Sequence, residues 1–253
     1  MYKHPAHAVP LFLAATCLAT TAPRLRAAPP VATVQRPKTA PAPTAQQKKN
    51  AAVTRALVRL IRSKVSTPGG SMTLKVVPAP RADKGYFSEI IASGRPAQIK
   101  KLRMTELSLH ARNVRINVHD LYMNRQLHTI SSQTKMRAVI SESDLTGLLA
   151  RGRTTGPMGL RVKFVGDRLH VTGNFSWGWF SGPVAGVGKM RLGAGHKVFL
   201  DILSLKLNGS EVPAWLKTKF SDKINPVIDY ADIPFKPALK SLTFKGNLAI
   251  LTA

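Results

Sequence analysis

Six consecutive residues, Phe175-Ser176-Trp177-Gly178-Trp179-Phe180, hold two of the chain's three tryptophans and two of its nine phenylalanines. Rings this dense suit one physical task, bridging apolar and polar surroundings. They follow a strand-like stretch and precede Ser181-Gly182-Pro183, so they read as a hairpin tip. Exposed, the tip would seat in a lipid interface or frame the mouth of a lipid pocket; buried, it would fill one end of a sheet. The spacing leaves both open. The second chemical resource is charge. Lys and Arg number 38 against 12 Asp and Glu, for a net charge of +26 over 253 residues. That balance predicts an anionic partner: nucleic acid, an anionic membrane face or an acidic polymer.

Residues for bond-breaking chemistry are not assembled. The chain has no G-x-S-x-G, H-E-x-x-H, P-loop or C-x-x-C, so the usual nucleophile, zinc and phosphate signatures are missing. Gly186-Val187-Gly188 runs into Lys189-Met190-Arg191 and fails as a dinucleotide fingerprint. The seven His are scattered, and His110 and His170 read as surface or rim residues. Of the carboxylates, Glu142 and Asp144 fall in a helix cap, and Asp222, Asp229 and Asp232 surround a helix end. No constellation forms, so the expectation is a non-enzyme with no metal and no cofactor. The single cysteine, Cys17, excludes an intramolecular disulfide and a Cys-rich zinc site.

The elements that must position these residues begin with a leader. Lys3 and His4 precede an apolar stretch, Leu11 to Ala22, with small residues at Ala22 and Ala27-Ala28. Residues 1–28 read as a secretory signal peptide. Export makes nucleic acid a poor partner and an anionic envelope a good one. Residues 29–47 are a Pro/Ala-rich linker. Residues 48–70 are read as a basic amphipathic helix ended by Thr67-Pro68-Gly69-Gly70. Val53, Leu57, Leu60 and Ile61 share its apolar stripe, with Arg55, Arg59 and Arg62 elsewhere on the wheel. Its narrow stripe favours packing on the following domain over lying on a membrane surface.

From residue 71 the pattern is mainly strand. Met72–Pro78 is a strand, and Asp83–Ala92 reads as a helical turn or two. Leu107, Leu109 and Ala111 alternate in one phase, then Val114, Ile116 and Val118 in the other, so a bulge is expected at Arg112-Asn113. The same flip separates Val198, Leu200 and Ile202 from Leu203, Leu205 and Leu207. Strands with phase breaks curve. Further alternation marks Met136–Ile140, Leu160–Phe164 and Leu169–Gly173, with hairpins across Gly166-Asp167 and Gly246-Asn247. One helix follows Ser141, with Gly152 as its stop. Another starts near Ser210, carries Val212, Leu216, Phe220 and Ile224, and ends at Pro226. The fold class is therefore α+β: a long curved antiparallel sheet with two or three helices.

Several segments, in order, resemble the LmeA-type phospholipid-binding family of bacterial envelope proteins. They are Phe87–Gly94, Leu107–Leu121, the strand-then-helix Ala138–Leu149, Asn208–Pro213, Asn225–Asp229 with Ile233-Pro234-Phe235, and the hairpin Leu239–Leu251. The resemblance covers roughly residues 72–252, making 71–253 the family domain. It implies an extracytoplasmic, non-catalytic protein that binds phospholipid in an apolar groove. On that reading Leu107, Leu109, Ile116, Phe164 and Val171 line the groove, with Phe175, Trp177, Trp179 and Phe180 at its mouth. Arg and Lys at the rim hold anionic head groups. The partner is then phospholipid or an anionic membrane surface, with no nucleic acid; oligomeric state is not readable. The competing reading is a cationic structural protein on an anionic cell-wall polymer.

Overall fold

The computed structural model describes residues 42–150, 158–177, 180–194, 196–231 and 233–253, with backbone alone for 158, 175–177 and 180. The expected signal, the linker as far as residue 41, and Gly152 lie outside the described residues.

The first helix, α1 (Ala45–Lys64), starts inside the expected linker, because Thr44 and Gln47 form a reciprocal capping box. Its stripe is committed to the domain: Val53, Leu57, Leu60 and Ile61 are all buried in the main core. Asn50 fastens it further, accepting from the Asp83 N–H and donating to the Pro80 carbonyl. Strand β1 (Ser71–Pro78) follows, then a 3-10 turn at Ala82–Lys84 and β2 (Tyr86–Arg95). The expected helical turns over 83–92 are thus mostly strand. Opposite β2, Val77 pairs Glu89 and Pro78 pairs Phe87, which leaves Ser88 as an extra residue. That irregularity sets buried Phe87 and Ile90 three apart, which mimics helical spacing.

A small ribbon of β3 (Ala97–Ile99) and β4 (Leu102–Met104) leads to β5 (Glu106–Ile116). The predicted bulge is present: Arg112 pairs Gln133 and Arg115 pairs Ser131. Asn113 sits at the break with φ +50°. Next come α2 (Val118–Met123), β6 (Thr129–Ser141) and α3 (Glu142–Ala150). The first sheet is completed by the C-terminal hairpin β13 (Ser241–Lys245) and β14 (Leu248–Thr252), in the order β1-β2-β5-β6-β14-β13.

The second sheet holds β7 (Met158–Val165), β8 (Arg168–Trp177), β9 (Phe180–Gly193), β10 (Lys197–Leu207) and β11 (Ser210–Glu211). The bulge in β10 falls on Leu203, between the Ile202–Gly188 and Ser204–Val187 pairs. Leu203 is therefore exposed and does not join Leu205 and Leu207. Asn208 and Gly209, both at positive φ, turn the chain back so that Ser210 pairs Leu207. The fourth helix, α4 (Ala214–Ile224), consequently starts after Pro213 rather than near Ser210. Both edges of this sheet are covered. β11 and β12 (Ile228–Asp229) pair with β10, while α3 receives the N–H groups of β7: Val162 donates to Thr146 and Phe164 to Glu142. The result is α+β with a curled half-barrel sheet.

Two outcomes test this account. Leu57 is fully buried, so Leu57→Ala should cost about 2–5 kcal/mol in urea denaturation. A loss below about 0.5 kcal/mol would mean that α1 is not integral to the domain. The second outcome concerns Glu106, whose carboxyl is held below the ordinary glutamate range, first by its hydrogen bond to Arg95 and also by Arg137. Its contribution is complete above the unfolded pKa of about 4.3 and is lost as pH falls through the lower folded value. In a pH series of denaturation midpoints, Glu106→Gln should therefore flatten the acid limb.

Candidate functional site

The cationic residues of the molecule are not equivalent. On the first sheet, Glu89 gathers Lys75, His110 and Arg112, with His110 Nε2 2.7 Å away. The His110 hydrogen bond is the main reason the Glu89 carboxyl is held low. Glu106 gathers Arg95 and Arg137 at 2.9 and 3.0 Å. These cations are already answered by carboxylates.

A different arrangement occurs where α1 passes α2. Ala56, Arg59, Leu60, Ser63 and Lys64 recur at three- and four-residue spacing, so they share one face of α1. With Leu121 and Tyr122 of α2, and Arg125 just beyond it, they line a cleft of about 550 Å³. That lies within the range of about 300–1,000 Å³ found for small-ligand sites. Buried Leu60 and Leu121 make the floor, and exposed Arg59, Lys64 and Arg125 make the rim. Among the described residues, none of the three rim cations forms an ion pair with a carboxylate. An apolar floor with unanswered guanidinium and ammonium groups above it can hold an amphiphile with an anionic head.

The α2 side of the cleft is rigidly built. Asn117 caps the helix, its Oδ1 accepting from the N–H groups of His119 and Asp120 at 2.9 and 3.3 Å. Asp120 then anchors the following loop. Its carboxylate accepts from Asn124 at 2.9 Å and pairs with His128 Nδ1 at 3.0 Å. Its carbonyl accepts from the N–H groups of Asn124 and Gln126. Within this brace Arg125 is held at φ +48°, an uncommon conformation for a residue with a side chain.

The residues expected to bind acyl chains lie apart from the cleft lining. Leu107, Leu109, Ile116 and Phe164 are brought together, but as buried members of the main core. Val171 is half-buried against it. None of the five lines the cleft. Leu60 and Leu121 do belong to that same core, so the cleft floor is its outer surface. The aromatic segment follows the hairpin register. Phe175 pairs Gly182 and Trp177 pairs Phe180, beyond the last β7 pair at Asn174 and the last β10 pair at Val184. Among the described residues the tip is thus a two-stranded finger, braced by Asn208, which donates to the Pro183 and Ser181 carbonyls. Trp179 lies outside the described residues.

Sequence reading singled out the basic face of α1 but missed α2 and hence the cleft. The usable signal was Asn117 followed by Asp120, a cap with an acid in the first turn. Among the described residues no cluster of three or more His, Cys, Asp or Glu could hold a metal ion. No helix there is long and apolar enough to cross a membrane.

The brace yields a test. Asp120→Ala should destabilise the loop by roughly 1–3 kcal/mol, the cost of stranded hydrogen-bonding groups. Amide hydrogen exchange should quicken across residues 117–128 while β9 stays protected.

Neither a curated protein nor a solved structure matches the chain. A family model does, over residues 50–248, which takes in most of α1, the second sheet, and the first sheet as far as the start of β14. The apolar-floored, cationic-rimmed cleft thus lies within the matched region, and the chain belongs to the LmeA-like phospholipid-binding family.

Proposed function

We propose that this protein holds phospholipid outside the cytoplasm without altering it chemically, with the head-group phosphate in the α1–α2 cleft. The single observation that carries this reading is the set of unpaired cations, Arg59, Lys64 and Arg125, over the apolar floor of Leu60 and Leu121. The phosphate takes charge-assisted hydrogen bonds from the rim. The first acyl carbons meet the floor, each buried methylene contributing about 0.8 kcal/mol. Deeper burial leads toward Leu107, Leu109, Ile116 and Phe164, which share the core with that floor. The aromatic segment Phe175–Phe180 is a second lipid contact in this proposal, on its sequence alone. Its sequence suits the boundary between head groups and chains.

The apolar floor favours lipid over the alternative of an anionic wall polymer, which has no use for it. Salt separates the two experimentally. Polymer binding through surface charge should vanish as ionic strength rises, while a lipid with buried chains should be retained. Native mass spectrometry of the purified protein, before and after a high-salt wash, should show retained phospholipid. Arg125→Ala should weaken capture of phosphatidylglycerol about fivefold, from roughly 1 kcal/mol per cation. A wild-type protein that carries no lipid and extracts none from vesicles would sink the proposal.

A further inference from the structure

Beside the cleft, the last turn of α2 presents two large apolar side chains to solvent. Tyr122 is 48% exposed and Met123 72%. Ile130, at 52%, lies just past the same connection, two residues after His128. Apolar groups held out in water are informative when they cluster and when their support is stiff. Here the support is the Asp120 brace, which fixes the chain from Asn117 to His128. The adjacent Leu121 is the α2 residue turned into the core, while Tyr122 and Met123 remain outside it.

We infer that this ridge docks on an anionic lipid bilayer, with Met123 and Tyr122 entering the head-group layer while Arg59, Lys64 and Arg125 meet the phosphates. This rests on the phospholipid reading and adds the surface through which the cleft meets its source of lipid. Three observations select this occupant. The ridge is the end of a six-residue helix, too small for the roughly 800 Å² per partner of a stable protein interface. Its surroundings are cationic, because Asp120, the acid on this connection, is turned to Asn124 and His128. A second copy of the chain on the same face would bring the same unpaired cations against each other. A bilayer answers both features at once, since a few inserted apolar side chains and several interfacial cations reinforce one another.

The test compares full-length wild type, Met123→Ser and Met123→Trp on vesicles of phosphatidylglycerol mixed with phosphatidylcholine, and on phosphatidylcholine alone. Met123 does not line the cleft, so none of these changes should alter the lipid carried by the purified protein. On the anionic vesicles Met123→Ser should partition about fivefold more weakly, the effect of withdrawing one apolar side chain from the interface. Met123→Trp should partition more strongly and show a blue-shifted emission on binding. Wild type should prefer the anionic vesicles over neutral ones. Unchanged partitioning in both variants would overturn the inference. So would a change in sedimentation rather than in vesicle binding, which would mark the ridge as an interface between copies. A wild type that docks through Met123 but carries no lipid would instead count against the lipid-holding function and leave the docking surface in place.

Discussion

The burial of one helical stripe governs the rest of this molecule. Leu57 and Ile61 are fully enclosed, and Val53 and Leu60 nearly so, against the core of the first sheet. Burying four aliphatic side chains in this way is worth several kcal/mol even after discounting for a compact unfolded chain. With that stripe fixed, the opposite choices follow. Arg59, Ser63 and Lys64 have to face α2, and the space between the two helices becomes a cleft rather than a seam. The helix is at once a lid on the core and a wall of the site.

Charge then differentiates surfaces that composition alone would make alike. A chain of +26 has many cations, and most of the described ones are exposed. A minority of them are answered by carboxylates. Glu89 and Glu106 each collect neighbours on the first sheet, Asp167 pairs with Lys189, and Asp201 pairs with Arg191. The pairs on exposed strands add little stability in water, and they lower the local positive charge where they sit. Asp144 and Glu142 are spent on structure, one capping α3 and the other holding the edge of β7. The cleft rim receives none of them.

Much of the sheet architecture was legible from alternation, and the two phase breaks were its most informative feature. The break at Arg112-Asn113 reported a bulge because both flanking runs keep one face in the core. The break in β10 was located correctly, but Leu203 proved to be the bulged residue itself, and sequence pattern cannot say which residue of a flip is extruded. The short elements were illegible for a related reason. α2 is six residues long, so its periodicity never accumulates, and it is held by Asn117 and Asp120 rather than by an apolar stripe. Phe87 and Ile90 misled because an extra residue in a strand produces helical spacing. The site was half legible. The basic face of α1 could be seen, but its facing wall depends on a tertiary contact. The strand residues assigned to a groove were recognised as inward-facing, and their place in the same core as the cleft floor is a property of the assembled sheets.

The double duty of α1 couples occupancy to the integrity of the fold. The helix is joined to β1 by a short connection through Thr67-Pro68-Gly69-Gly70, and its other attachments to the domain are noncovalent. Any molecule that grips both α1 and α2 must be released, or must lose half of its contacts, before the helix can lift away. Its binding free energy is therefore added to the work of peeling α1 from the core. A molecule held in the cleft would therefore act as a fastening of α1 to the domain, adding to the buried stripe rather than replacing it.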